Sequence, residues 1–156
     1  MPWLVSQSVA GFISLCLMTF YLNKEHLSVH FLLVPLIVNG VGDGLAEPVG
    51  IRFGSHKYRS RALWYDGRFC AGNFHRSLEG SACVFFSALI SVLVLYHEWG
   101  TSTRLCFALF TIPLGMTAAE AFAPHTWDTP FLFLVGAALV WFLFECVPDT
   151  FHLPYL

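Results

Sequence analysis

Charge is what this sequence has least of. Only 12% of its 156 residues are Asp, Glu, Lys or Arg, against 56% hydrophobic, whereas a soluble domain of this size carries roughly 25% charge. That shortage excludes water as the main solvent. It also excludes a nucleic-acid binder, which needs a basic face on a soluble domain; the formal net charge here is −2. Cysteine chemistry is missing as well. Cys16, Cys70, Cys83, Cys106 and Cys146 are odd in number, include no Cys-x-x-Cys pair, and mostly sit inside apolar runs, so they read as small buried hydrophobes. His26, His30, His56, His97 and His152 form no metal-ligand spacing. No Lys or Arg precedes the first apolar run and no small-residue cleavage site follows it, which favours a retained span over a secretory signal.

What the sequence has instead is long apolar runs. A helix crossing the roughly 30 Å hydrocarbon core needs about 20 mostly apolar residues. Five stretches qualify or come close, near residues 3–22, 27–41, 81–96, 104–122 and 130–147. Each is apolar on all sides, as lipid-facing helices are. The expected fold is therefore all-α, a polytopic transmembrane bundle of about five spans in one membrane domain covering residues 1–156, with one long polar loop at 42–80. Trp3, Tyr96, Trp99 and Trp127 lie near span ends, where interfacial anchors belong, and Trp141 lies inside the last span, where packing explains it better.

The few charges are concentrated. Ten of them, from Asp43 to Glu79, fall in one stretch of 37 residues, and six of the eight Lys and Arg residues lie there: Arg52, Lys57, Arg59, Arg61, Arg68 and Arg76. The basic excess places this loop on the cytosolic side, or the stromal side of a plastid. It also makes the loop a local attractor of phosphate or anionic membrane-lipid headgroups. Threading five spans from that choice puts the N-terminus and the 122–129 turn on the loop's side, with Lys24, Trp99 and the C-terminus opposite. His125 and Asp128 then approach the loop.

The string from Gly42 to Gly54, Gly-Asp-Gly-Leu-Ala-Glu-Pro-Val-Gly-Ile-Arg-Phe-Gly, combines two carboxylates, Asp43 and Glu47, with small residues at 42, 46, 50 and 54. On a helix both spacings fall on single faces. The small residues permit close approach of another helix or of a bulky anion, and spacing alone leaves both open. Acids at a membrane edge are costly unless paired, hydrated or metal-bound, which marks Asp43 as functional; a salt bridge from Glu47 to Arg52 is the plainer reading of the second acid. The second run is short for a full crossing and ends in Asn39-Gly40-Val41-Gly42-Asp43-Gly44, so its helix is expected to stop or break there, and because Pro48 would clash with the carbonyl of Gly44 a restart is expected near Pro48. A second string, Arg76-Ser77-Leu78-Glu79-Gly80-Ser81, sets a cation, hydroxyls and an acid before the third span. Ser77 reads as a helix cap, or Arg76 neutralises phosphate while Glu79 binds magnesium or takes a substrate proton.

Together with Glu120-Ala121-Phe122-Ala123-Pro124-His125-Thr126-Trp127-Asp128, these strings resemble the polyprenol kinase family of phytol kinases, dolichol kinases and CTP-dependent diacylglycerol kinases, most closely the phytol kinase and bacterial-type branch, over about residues 35 to 130. The resemblance implies a phosphotransferase that moves the terminal phosphate of CTP onto a lipid alcohol such as phytol or a polyprenol, with Mg²⁺ or another divalent cation. It maps the nucleotide site onto Gly42, Asp43, Gly44, Ala46, Gly50 and Gly54, with Arg52, Arg76, Gly80 and Ser81 joining it. Asp43 and Glu79 become the catalytic and metal-holding acids, supported by Asn39, Glu47, His125 and Asp128. Family members typically carry more spans upstream and an early Arg-Lys-x-x-His-type element, which nothing before Asn39 matches. Two other readings remain open at this point: a CTP:phosphatidate cytidylyltransferase making CDP-diacylglycerol, and a truncated, non-catalytic relative.

Overall fold

The computed structural model describes residues 2–60, 64–65, 68–69, 74–124 and 127–147; His125, Arg61 and Asp66 fall outside that set. It is mostly helical. Helix α1 spans Pro2–Lys24. A continuous helical rod follows from Val29 to Phe53, made of a 3₁₀ turn at Val29–Leu32, α2 at Leu33–Ile37, a π turn at Val38–Asp43 and α3 at Gly44–Phe53. After two short antiparallel ladders come α4 (Leu78–Val94), α5 (Ser102–Phe122) and α6 (Asp128–Cys146). Among the described residues, Val29–Phe53, Ser102–Phe122 and Asp128–Cys146 are long and apolar enough to cross a membrane, and α4 is a shorter apolar helix.

The second helix differs most from expectation. It neither stops at Asn39–Gly44 nor restarts at Pro48, which lies inside α3. Pro48 lacks the N–H that would close the preceding turn, and that turn follows directly on the wider i→i+5 winding of the π turn ending at Asp43. The rod absorbs the proline without breaking. Much of the expected loop at 42–80 is therefore regular: α3 runs to Phe53, and strand β1 (Lys57–Ser60) pairs antiparallel with β4 (Phe74–Ser77), Tyr58 facing Arg76 and Arg59 facing His75. Between them in sequence, β2 (Trp64–Tyr65) pairs with β3 (Arg68–Phe69).

Helix α4 is the hub, in contact with α2, the π turn, α3 and α5. Small residues let it sit close. A Cβ on Gly42 would collide with the Ser87 hydroxyl and lie 3.1 Å from Val84 Cα, and one on Gly80 would lie 2.7 Å from the Ala46 carbonyl. The stripe at 42, 46 and 50 thus serves helix packing. Around it Val34, Val38, Val84, Ala88, Val92, Ile112, Met116, Leu132 and Val140 are fully buried. Other apolar side chains face outward from every long helix, including Phe12 and Phe20 on α1, Phe110 and Phe122 on α5, and Trp141 and Phe142 on α6, as lipid-facing surfaces require. Trp141 is accordingly an outward residue and not a packed one. Trp99 is fully buried and not an interfacial anchor. Cys16, Cys106 and Cys146 are exposed on these apolar surfaces, against the burial that their apolar sequence context predicts.

The helix ends fall into two groups. Gln7 of α1 donates to Asp128 Oδ1 at 2.9 Å, and Arg76 reaches both Glu120 and Asp128, so the start of α1, the start of α4, the end of α5 and the start of α6 share one end. Lys24, Glu98, Trp99, Arg104 and Val147 lie towards the other.

Candidate functional site

At the end of the bundle that carries β4, six elements and the π turn enclose a cleft of ≈ 360 Å³. The π turn supplies Asp43 and α3 supplies Ala46, Glu47, Gly50 and Ile51. Lys57 comes from β1, Phe74 to Ser77 from β4, Gly80 and Ser81 from α4, Glu120 from α5 and Asp128 from α6. Ser77 is extended (φ −125°, ψ 149°) and accepts from the Gly80 N–H at 3.1 Å, so the helix-cap reading of Ser77 is correct. That cap fixes where α4 begins and hence where Ser81 and Arg76 sit.

One wall is a tight polar network. Arg76 Nη1 donates to Glu120 Oε1 at 2.7 Å and Nη2 to Asp128 Oδ2 at 3.3 Å, with side chains only 9%, 4% and 13% exposed. Ser81 donates its hydroxyl hydrogen to Glu120 Oε2 at 2.8 Å, and Tyr58 OH lies 2.7 Å from Ser81 Oγ and 3.4 Å from Glu120 Oε2. Burial pushes the Tyr58 phenol above its ordinary value; the Glu120 charge adds to that, and the Ser81 hydrogen bond acts the other way. A carboxylate as buried as Glu120 is tolerable only when paired and fully hydrogen-bonded. Both of its oxygens are engaged. Gln7 extends the network by donating to Asp128 Oδ1 and Thr129 Oγ1.

The residues expected from sequence divide into three groups. Asp43, Glu47, Ala46, Gly50, Arg76, Gly80, Ser81 and Asp128 meet in the cleft. Others lie elsewhere. Glu79 turns away from the cleft to accept from the backbone N–H of Ser55 at 3.0 Å and of His56 at 3.3 Å, and it pairs with His56 Nδ1 at 3.1 Å. Arg52 is exposed and sits over the Phe53 ring, 5.5 Å from its centroid, with no ion pair to Glu47 among the described residues. Gly42 packs on α4, Gly44 has open space around it, and a Cβ on Gly54 would collide with the Gly50 carbonyl. Asn39 lies in the π turn with its Oδ1 buried and without a hydrogen-bond partner. His125 falls outside the described residues.

Glu120 and Tyr58 are the members sequence reasoning passed over. Glu120 was visible by the rule that singled out Asp43, an acid near the end of an apolar run. Tyr58 carried no signal, because its role depends on β1 pairing with β4.

Among the described residues no group of three or more His, Cys, Asp and Glu is arranged to hold a metal ion unaided. Magnesium needs less from the protein than that, since it is commonly held by one or two carboxylates together with substrate phosphates and water. Asp43, with Glu47 one helical turn further along the same wall, fits such a part-site. No protein family, curated protein or solved structure matches the chain.

Proposed function

We propose that the chain is a CTP-dependent lipid-alcohol kinase embedded in a membrane by five spans, α1 and α4 joining the three helices named above as long and apolar enough to cross, with the cleft on the cytosolic or stromal side. One observation carries the reading: the three strings that resemble the polyprenol kinases, more than 70 residues apart at their extremes, contribute Asp43, Arg76, Ser81, Glu120 and Asp128 to a single cleft at the end of an apolar bundle. A lipid alcohol reaches such a site from the bilayer and a nucleotide reaches it from water.

In this reading Asp43 and Glu47 hold the divalent cation, which shields triphosphate charge when bound. Glu79 gives up the metal role expected for it, because its carboxylate is engaged with Ser55 and His56. Lys57 at the cleft rim meets phosphate oxygens. The acceptor oxygen bonds to the terminal phosphorus as the bridge to the second phosphate breaks, CDP leaves with the bridging oxygen, and the acceptor's proton passes to a cleft carboxylate.

The test is phosphate transfer from gamma-labelled CTP, with ATP in parallel, onto phytol, a polyprenol and diacylglycerol in membranes containing the chain or its Asp43→Asn variant. Labelling of one lipid that falls at least about 100-fold in the variant is expected, given the weight of positioning and electrostatics in phosphoryl transfer. Normal turnover by Asp43→Asn would sink the metal assignment. Release of pyrophosphate without lipid labelling would replace the kinase by a cytidylyltransferase.

A further inference from the structure

The sequence predicts that Arg76 neutralises phosphate, yet the structure shows its charge already matched twice. Glu120 lies at 2.7 Å and Asp128 at 3.3 Å on the two terminal nitrogens of one guanidinium. Counting formal charges along the cleft, Asp43, Glu47, Glu120 and Asp128 oppose only Lys57 and Arg76, a net of −2. A free triphosphate entering there meets repulsion from a wall with little water to screen it. Its cation complex would not, because Asp43 and Glu47 would hold the metal, whose charge would offset theirs. The other carboxylates that Asp43 senses are Asp128, Glu120 and Glu47, so removing any one of them shifts the balance at the same spot.

We propose that Glu120 is a positioning and selectivity residue: by holding and neutralising Arg76 it makes the cleft accept a nucleotide only as its divalent-cation complex and reject the metal-free anion. This rests on the nucleotide reading above. The neutralised Arg76 still offers its remaining N–H groups as fixed donors, which suits orientation of phosphate oxygens more than their capture. Ser81 and Tyr58 hold the second oxygen of Glu120, so the carboxylate cannot swing away and release the guanidinium.

The experiment is equilibrium binding, with thermal unfolding followed by tryptophan fluorescence on the purified full chain in detergent. CTP is added either with magnesium or with excess chelator, and phosphate transfer plays no part in the readout. Wild type should bind and be stabilised by CTP with magnesium and bind at least about tenfold more weakly under chelator. Glu120→Gln should tighten metal-free CTP by about 15- to 30-fold, the size expected when one unit charge is removed roughly 8–10 Å from a phosphate at an effective dielectric constant of about 20. Ser81→Ala, which keeps the carboxylate, should retain the metal requirement. Should Glu120→Gln fail to fold, Asp128→Asn removes the other partner of the same guanidinium and should move metal-free binding in the same direction. Equal weakening of both nucleotide forms by Glu120→Gln would reduce Glu120 to a structural pair. Wild type binding metal-free CTP as tightly as the complex would overturn the charge argument while leaving a nucleotide site, whereas no response to CTP in either condition would remove the nucleotide reading itself.

Discussion

Two arginines, one towards each end of the bundle, are both withdrawn from water and are satisfied in opposite ways. Arg76 meets carboxylates on α5 and α6 at the mouth of a cleft. Arg104, 7% exposed, meets backbone: its Nε donates to the Leu143 carbonyl at 3.2 Å, its Nη1 to Trp99 at 3.3 Å and its Nη2 to Val147 at 3.4 Å, while its guanidinium lies 4.3 Å from the Phe144 ring centroid. A cation on the last carbonyls of a helix satisfies groups that have no intrahelical partner and complements the negative end of the helix dipole. Arg104 thus closes the C-terminal end of α6, with donors on all three of its nitrogens spent on backbone carbonyls. The charges around Arg76 stay beside open space, and that difference separates a closed end from one with a charged cleft.

The sharpest way to break this contrast is to remove Arg104. Arg104→Ala strips the side-chain donors from the Leu143 and Val147 carbonyls and the cation from the face of Phe144, and leaves the Trp99 carbonyl only the Thr101 N–H; it should cost about 3 kcal/mol, read as a large drop in the thermal midpoint of the detergent-solubilised chain. Any CTP response should survive in the fraction that folds. A loss under about 1 kcal/mol would remove the capping role. So would a variant of normal stability that no longer responds to CTP, since the two ends would then not be divided as described.

Within the cleft end, the glycines sharpen the same division between packing and chemistry. Gly42→Ala places a methyl against Ser87 and the Val84 backbone and should cost about 1–3 kcal/mol by forcing α4 off the π turn. Gly44 has ordinary helical angles (φ −60°, ψ −30°) and nothing within 4 Å of where a methyl would sit, so Gly44→Ala should gain about 0.5–1 kcal/mol. Paired thermal midpoints check both. A neutral Gly42→Ala would show that the stripe is not a packing surface, and a costly Gly44→Ala would show that the open face of α3 is occupied.

Sequence reasoning reached the apolar helices because a run apolar on all sides has few structures open to it in lipid. It reached Asp43, Arg76 and Asp128 because charges at the edges of such runs are expensive. It expects a helix break that does not occur, because a short apolar run ending in the glycine-rich stretch at 39–44 and followed by Pro48 reads as a stop and restart, whereas Val38-Asn39-Gly40-Val41-Gly42-Asp43 winds as a π turn that carries the helix through. Glu79 was misdirected for a similar reason. Its neighbours in sequence, Arg76 and Ser81, face the cleft, but its partners Ser55 and His56 lie more than 20 residues away, and only the meeting of α3 with α4 brings them together.

The smallest expected effect belongs to the far end, where the ionic contacts, Lys24 with Glu25 and His30 with Glu98, are exposed ones. His30 Nδ1 lies 2.6 Å from Glu98 Oε1, with the side chains 68% and 30% exposed. The His30 hydrogen bond holds the Glu98 carboxyl below the usual carboxylate range, aided by one from Ser28. A depressed carboxylate contributes stability above its unfolded value and loses that contribution as pH falls through the folded one. The wild-type midpoint should therefore decline on acidification through the carboxylate range, and Glu98→Gln should flatten part of that decline. Solvent screening keeps the pair to no more than about 0.5 kcal/mol, so the difference should also shrink as salt is raised. If Glu98→Gln instead lowered the midpoint by as much as Arg104→Ala at every pH, the pair would be structural, and the far end would be held by ionic contacts as well as by the arginine cap.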